Sequence, residues 1–203
     1  IFQLYNSFFF FLRKHHKRGR KYAEDGEYSK AIEEYQKAIE LKPESPYIHR
    51  NLGLAYYNIG SVDKSIEEYQ KAIQLNSGFA DAHDSLGVAY WKKGMLDKAI
   101  VCCQKAVNLD PSRLEFHLNL AIISSEAGMR DLSVTEYRKV IMLQPDSAEA
   151  HHNLGLELIK KKMYAEAIVC FKKALDIDST YFLSYGALGC GYEKQGRKQK
   201  AKE

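Results

Sequence analysis

The sequence predicts an all-α solenoid, a stack of antiparallel helix pairs, five complete and part of a sixth. Three observations predict it. A small residue recurs every 34 positions, at Gly19, Gly53, Gly87, Ala121, Gly155 and Gly189, with no insertion or deletion between copies. A fixed period of this size is the signature of a repeat architecture. Within each copy the apolar residues follow helical spacing in two short blocks. Glycine and proline, the residues that end helices, fall at fixed offsets after those blocks.

The first block of each copy is read as one helix. Leu52, Leu86, Leu120, Leu154 and Leu188 directly precede the small residue, and Tyr22, Tyr56, Tyr90, Ser124, Leu158 and Tyr192 lie three beyond it. Leu52 and Tyr56 are four apart and so share a helix face. Gly26, Gly60, Gly94, Gly128 and Gly196 come next, where glycine supplies the left-handed residue that ends a helix. Lys162 takes that place in the fifth copy.

The second block opens on a small column, Ala31, Ser65, Ala99, Ser133, Ala167 and Ala201. Four residues on come Tyr35, Tyr69, Cys103, Tyr137 and Phe171, and three later Ala38, Ala72, Ala106, Val140 and Ala174. This i, i+4, i+7 spacing makes a second apolar face. Asp63, Asp97 and Asp131 are placed near its start, where a carboxylate caps the helix or opposes its dipole. Pro43, Pro111 and Pro145 stop the second helix; Ser77 and Ser179 stand in the same column.

A 34-residue helix-turn-helix unit with small, aromatic, small and proline columns in this order resembles the tetratricopeptide repeat. The resemblance covers about residues 12–203, with repeats starting near 12, 46, 80, 114, 148 and 182, and leaves residues 1–11 as a separate apolar segment. It implies a right-handed superhelix whose first helices line a concave groove and whose second helices form the convex back. The overall plan, repeats with no catalytic domain, is similar to free-standing bacterial scaffolds of the family, such as the one that coats the magnetosome. The chain departs from the family in its first column, which holds His15, His49, His83, His117 and His151, then Tyr185.

Composition bounds the function. The 203 residues are 45% apolar and 28% charged, which excludes a wholly disordered chain. The formal charge of +4 comes from the first twenty residues, where Arg13, Lys14, Lys17, Arg18 and Arg20 stand with no acid. The rest is close to neutral, so no nucleic-acid partner is expected. The four cysteines form no C-x-x-C and no disulfide framework, as in reduced, buried thiols of a cytoplasmic protein. No run of eighteen apolar residues exists.

The first twelve residues, IFQLYNSFFFFL, leave two readings open. They are an apolar helix or strand packed on the first repeat. Or, in a chain whose opening Ile marks a fragment, they are the end of an anchor that makes peripheral contact with a membrane or organelle surface.

No glycine-rich phosphate loop, H-E-x-x-H or G-x-S-x-G is present, so no enzyme and no cofactor are expected. Equivalent histidines of successive copies are separated by an intervening helix, and packed helices lie about 8–10 Å apart. They cannot share one metal ion, and they are read as a row of packing side chains. Histidines buried neutral would have to charge below about pH 6, loosening the stack. Cys102 and Cys103 are read as an inert buried pair.

Function is expected in the groove. The first helices offer His16 and Arg20, then Tyr47, Arg50, Asn51 and Tyr57, then Asp81, Ser85 and Trp91, then Asn119, and finally His152 and Asn153. Asn51, Asn119 and Asn153 share a column with Ser85. An amide both donates and accepts, so such a row can hold an extended peptide backbone without reading its sequence. The row resembles the asparagine ladder in the repeat superhelix of O-linked N-acetylglucosamine transferases; the alternative is that these amides bond neighbouring backbone in the stack. Against the family's carboxylate clamp for chaperone tails, His16, Arg20 and Asn51 imitate two parts, but Asp81 has the wrong sign. The expected function is a non-catalytic scaffold that binds a protein or peptide segment. The alternative is a self-assembling homo-oligomer in which the FFFFL segment enters another molecule's groove.

Overall fold

In the computed structural model, residues 2–196 are described, with side chains from Phe10 onward. Ala201, the last member of the small column, lies outside them. Eleven helices and no strand occur among the described residues. They fall into two compact units, Ile1–Asp110 and Pro111–Glu203.

The first unit holds α1 (Phe2–Glu24), α2 (Tyr28–Leu41), α3 (Pro46–Asn58), α4 (Val62–Leu75), α5 (Ala80–Lys92) and α6 (Leu96–Leu109). The second holds α7 (Leu114–Glu126), α8 (Arg130–Leu143), α9 (Ala148–Lys160), α10 (Tyr164–Ile177) and α11 (Phe182–Lys194). Within each unit, consecutive helices pack as pairs, and each second helix also packs on the next first helix. The boundary expected between residues 11 and 12 falls inside α1, which runs through it without a break.

The columns explain the pairing. Gly53 lies against the ring of Tyr69, and a Cβ added there would sit 2.7 Å from it. Only glycine lets the two backbones come that close. Leu52, Tyr56, Ser65, Tyr69 and Ala72 are all buried around this contact. The glycines that end the first helices have positive φ, from 74° at Gly94 to 82° at Gly60. Lys162 adopts the same conformation, with φ 62°, which costs an ordinary side chain about 1–2 kcal/mol.

The aspartates do not cap. Ser61, Met95 and Met129 occupy the N-cap positions of α4, α6 and α8 without a side-chain hydrogen bond. Asp63 and Asp131 sit inside the first turn, where they oppose the dipole. They accept from Lys93 and Lys161 in the turn of the following pair.

The histidine column is more specific than a packing row. His49 Nε2 donates to the Pro43 carbonyl at 2.8 Å, and its Nδ1 lies 2.7 Å from Glu68. His117 repeats this with Pro111 at 3.0 Å and Glu136 at 2.6 Å. His15 pairs with Glu34 at 2.8 Å. Each ring ties its own helix to the second helix of its pair, and His49 and His117 also hold the preceding turn. His83 and His151 keep the turn contact, to Ser77 and Pro145, but Cys102 and Cys170 replace the glutamate nineteen positions on. Tyr185 reaches the same turn at the Ser179 carbonyl.

Removing His117 strands the buried Glu136 carboxylate without its hydrogen-bond partner, at about 3 kcal/mol. His117→Ala therefore destabilises by about 3 kcal/mol, whereas His83→Ala, with no carboxylate to strand, costs about 1 kcal/mol. Denaturant midpoints of the two variants test the ranking. Lys162→Gly removes the left-handed strain and raises the unfolding midpoint, by about 1 kcal/mol; a lowered midpoint contradicts the account.

Candidate peptide-binding groove

In the first unit the first helices α1, α3 and α5 carry the expected site residues. The start of α3 and α5 and the middle of α1 enclose a cleft of about 380 Å³, lined by His16, Arg20, Tyr47, Arg50, Asn51, Phe79 and Asp81. The 34-residue period brings these positions together, since equivalent turns of successive first helices lie side by side. Six expected residues, His16, Arg20, Tyr47, Arg50, Asn51 and Asp81, meet here.

The Asn51 amide nitrogen donates to His16 Nε2 at 3.2 Å. That leaves the Asn51 carbonyl oxygen as the amide's acceptor. Burial, and then the Arg20 charge, hold the His16 imidazole below its ordinary pKa, which favours the neutral ring that accepts this bond. Tyr47 and Phe79 stack with centroids 4.9 Å apart. Tyr47 is exposed, so the pair forms an apolar shelf at the edge of the cleft. Arg50 Nε is buried without a hydrogen-bond partner. Its charge, with that of Arg20, faces Tyr35, whose hydroxyl burial pushes up to about 12.

The remaining first-unit residues lie outside the cleft. The Ser85 hydroxyl bonds Tyr69, a core phenol that burial pushes up. Tyr57 packs against the cluster around Ile66 and Tyr69, with Lys92 Nζ 5.0 Å from its ring. Trp91 is half-buried on the last turn of α5.

In the second unit Asn119 lies on α7 and Asn153 on α9, both half-buried at the equivalent position of their helices. His152 is not a groove residue. It is only 6% exposed; its Nδ1 is 2.9 Å from the Ser184 hydroxyl, and its ring packs on Phe171 and Tyr181. Sequence reasoning missed Glu157. This carboxylate is 2% exposed, accepts from Ser125 and Lys160 through one oxygen, and leaves the other buried without a partner. The signal was partly available, because its column holds Ala55, Ala89, Ile123 and Gly191 in four copies and the exposed Lys21 in the first. No three metal-ligating side chains converge among the described residues.

Comparison with known proteins follows the same repeats. Residues 19–60 and 56–94 match a family model described as TPR repeat, and residues 80–113 and 148–181 one described as Tetratricopeptide repeat. No curated protein sequence matches. Among solved structures, MamA is similar with a TM-score of 0.74 and 28% identity, covering 79% of this chain and 94% of MamA. YrrB, described as a TPR protein with an unusual peptide-binding site, has a TM-score of 0.73 and 22% identity over 84% of this chain and 88% of its own. PilF of Pseudomonas aeruginosa has a TM-score of 0.78 and 18% identity over 96% and 90%. The last two likenesses show the fold alone. The fold is that of protein–protein interaction scaffolds.

His152 also carries a pH prediction. Burial lowers its pKa against the raising effect of Glu149. The unfolded chain therefore takes up this proton more readily than the folded one. The neutral ring supports the fold above about pH 6.5, and that support is lost as pH falls below it. Unfolding midpoints at about pH 7.5 and 5.5 should differ less in His152→Gln than in the native chain; an unchanged difference removes His152 as the source.

Proposed function

We infer that this chain, which belongs to the tetratricopeptide repeat family, is a non-catalytic scaffold that holds an extended segment of another polypeptide along its first helices. The observation that carries this reading is the first-unit cleft. It combines a backbone-type acceptor at Asn51, a buried and unsatisfied donor at Arg50 Nε, and an apolar shelf at Tyr47 and Phe79. The Arg50 and Arg20 side chains that line the cleft offer charge-assisted hydrogen bonds to a ligand carbonyl or carboxylate. An aromatic shelf beside them takes an apolar side chain, as rigid aromatic anchors do in peptide-recognition sites.

The segment this cleft fits has an apolar side chain on the shelf and a strong acceptor toward Arg50 and Arg20. Asp81 disfavours a second acid on the α5 side and suits a basic one. Asn119 and Asn153 hold the equivalent helix position within the second unit. The likeness to MamA and the peptide-binding site named for YrrB support a groove that takes polypeptide.

The test begins with selection of peptides from a displayed random library on the full chain. Binding of a selected peptide is then measured by fluorescence anisotropy. Arg50→Ala with Asn51→Ala weakens it by about tenfold to thirtyfold, the loss of one or two anchor contacts. Selected peptides that bind the Arg50→Ala, Asn51→Ala variant as well as the native chain overturn the assignment.

A further inference from the structure

We propose that α1 is a membrane-docking helix, whose apolar first half enters an anionic lipid surface while its basic middle rests on the headgroups. α1 is 23 residues long, whereas α3, α5, α7, α9 and α11 are 13 each. Among its described side chains the first buried one is Leu12, which packs on the first pair. Ten residues precede Leu12 in α1. At about 1.5 Å each they carry the helix about 15 Å past Leu12.

That extension is Phe-Gln-Leu-Tyr-Asn-Ser-Phe-Phe-Phe-Phe, without a charge. Its two described members are solvent-facing, Phe10 at 64% and Phe11 at 46%. Seven of these ten residues are Phe, Leu or Tyr, while Gln3, Asn6 and Ser7 share the spacing of one helix face, so the segment reads as an amphipathic helix with a broad apolar face. No helix among the described residues is long and apolar enough to cross a membrane.

The charge next to it selects the lipid. Arg13, Lys14, Lys17, Arg18, Arg20 and Lys21 follow at once, all exposed, with no acid before Glu24. Lys14, Lys17 and Lys21 stand on one stripe, one turn beyond Phe10. Lys14 already lies along the Phe11 ring, 5.9 Å from its centroid, in the way a long cationic side chain covers apolar surface while its head stays in water. A cluster of cations flanking an apolar helix end is drawn to acidic headgroups. A second copy of this chain would bury the phenylalanines equally well, but the near-neutral repeats offer the cation cluster no comparable acidic surface.

The full chain is floated with phosphatidylcholine–phosphatidylglycerol vesicles and with phosphatidylcholine alone. It should float with the mixed vesicles, and more weakly with the neutral ones. Lys14→Glu, Lys17→Glu and Lys21→Glu together, or raised salt, should weaken flotation by about tenfold or more. Phe10→Asp with Phe11→Asp, both on exposed positions, should abolish it. Phe10→Trp in a Trp91→Phe background should shift its emission to the blue only when vesicles are added. The groove variant Arg50→Ala, Asn51→Ala should float like the native chain, so the two readings fail separately. Absence of flotation, or equal flotation on neutral vesicles, overturns the proposal. So does lipid-free assembly that Phe10→Asp with Phe11→Asp removes, which assigns the segment to a second copy.

Discussion

The close approach of the two helices in each pair governs everything built on them. Where Gly53 meets Tyr69, Gly87 meets Cys103 and Gly155 meets Phe171, the small residue removes a Cβ that the facing side chain would otherwise strike. The aromatic then fills the space beside the crossing and is buried. One such pair has too little interior to stand alone, and its remaining apolar faces are covered only by the next pair. Because the contact recurs without insertion, any column of the sequence returns to the same place on successive helices. The cleft of the first unit is a consequence of that register, since its residues come from three first helices and one turn.

Interior polar groups separate into two kinds. Most are tied to protein partners: the column histidines to turn carbonyls and glutamates, and the Ser133 hydroxyl to the Ala121 carbonyl at 2.9 Å. These bonds fix one helix against another and need nothing from outside. Ser124 Oγ, Glu157 Oε2, Gln195 Oε1 and Arg50 Nε have no hydrogen-bond partner. Of these four residues, only Arg50 lines a described cleft beside an exposed aromatic pair. The rest of the Arg50 side chain lines that cleft, which sets Arg50 apart from the other three.

The helices and their ends were legible because periodicity and turn chemistry act over a few residues. The bonds between them were less so. The glutamate column at Glu34, Glu68 and Glu136 keeps a fixed offset from the histidines, yet Cys102 and Cys170 interrupt it, and a pairing across nineteen positions has no local signature. His152 was misassigned because adjacent residues of a helix point about 100° apart, and Ser184 on the next first helix decides which of the two histidines is covered. Tyr47 was visible as a groove residue. Phe79 was not, because it lies in the turn before α5, where helical spacing places nothing.

The period also shows where the chain departs from uniform packing. Lys162 holds a strained left-handed conformation where the other described units have glycine. Glu157 buries a carboxylate where Ala55, Ala89 and Ile123 stand in the three preceding copies. α1 begins ten residues before Leu12, exposes Phe10 and Phe11, and concentrates positive charge in an otherwise near-neutral chain. Packing alone does not require any of these, because neighbouring copies pack without them. The first two are confined to one pair each and act within it. The third places exposed Phe10 and Phe11 beside a run of exposed lysine and arginine. An acidic lipid surface would satisfy both at once.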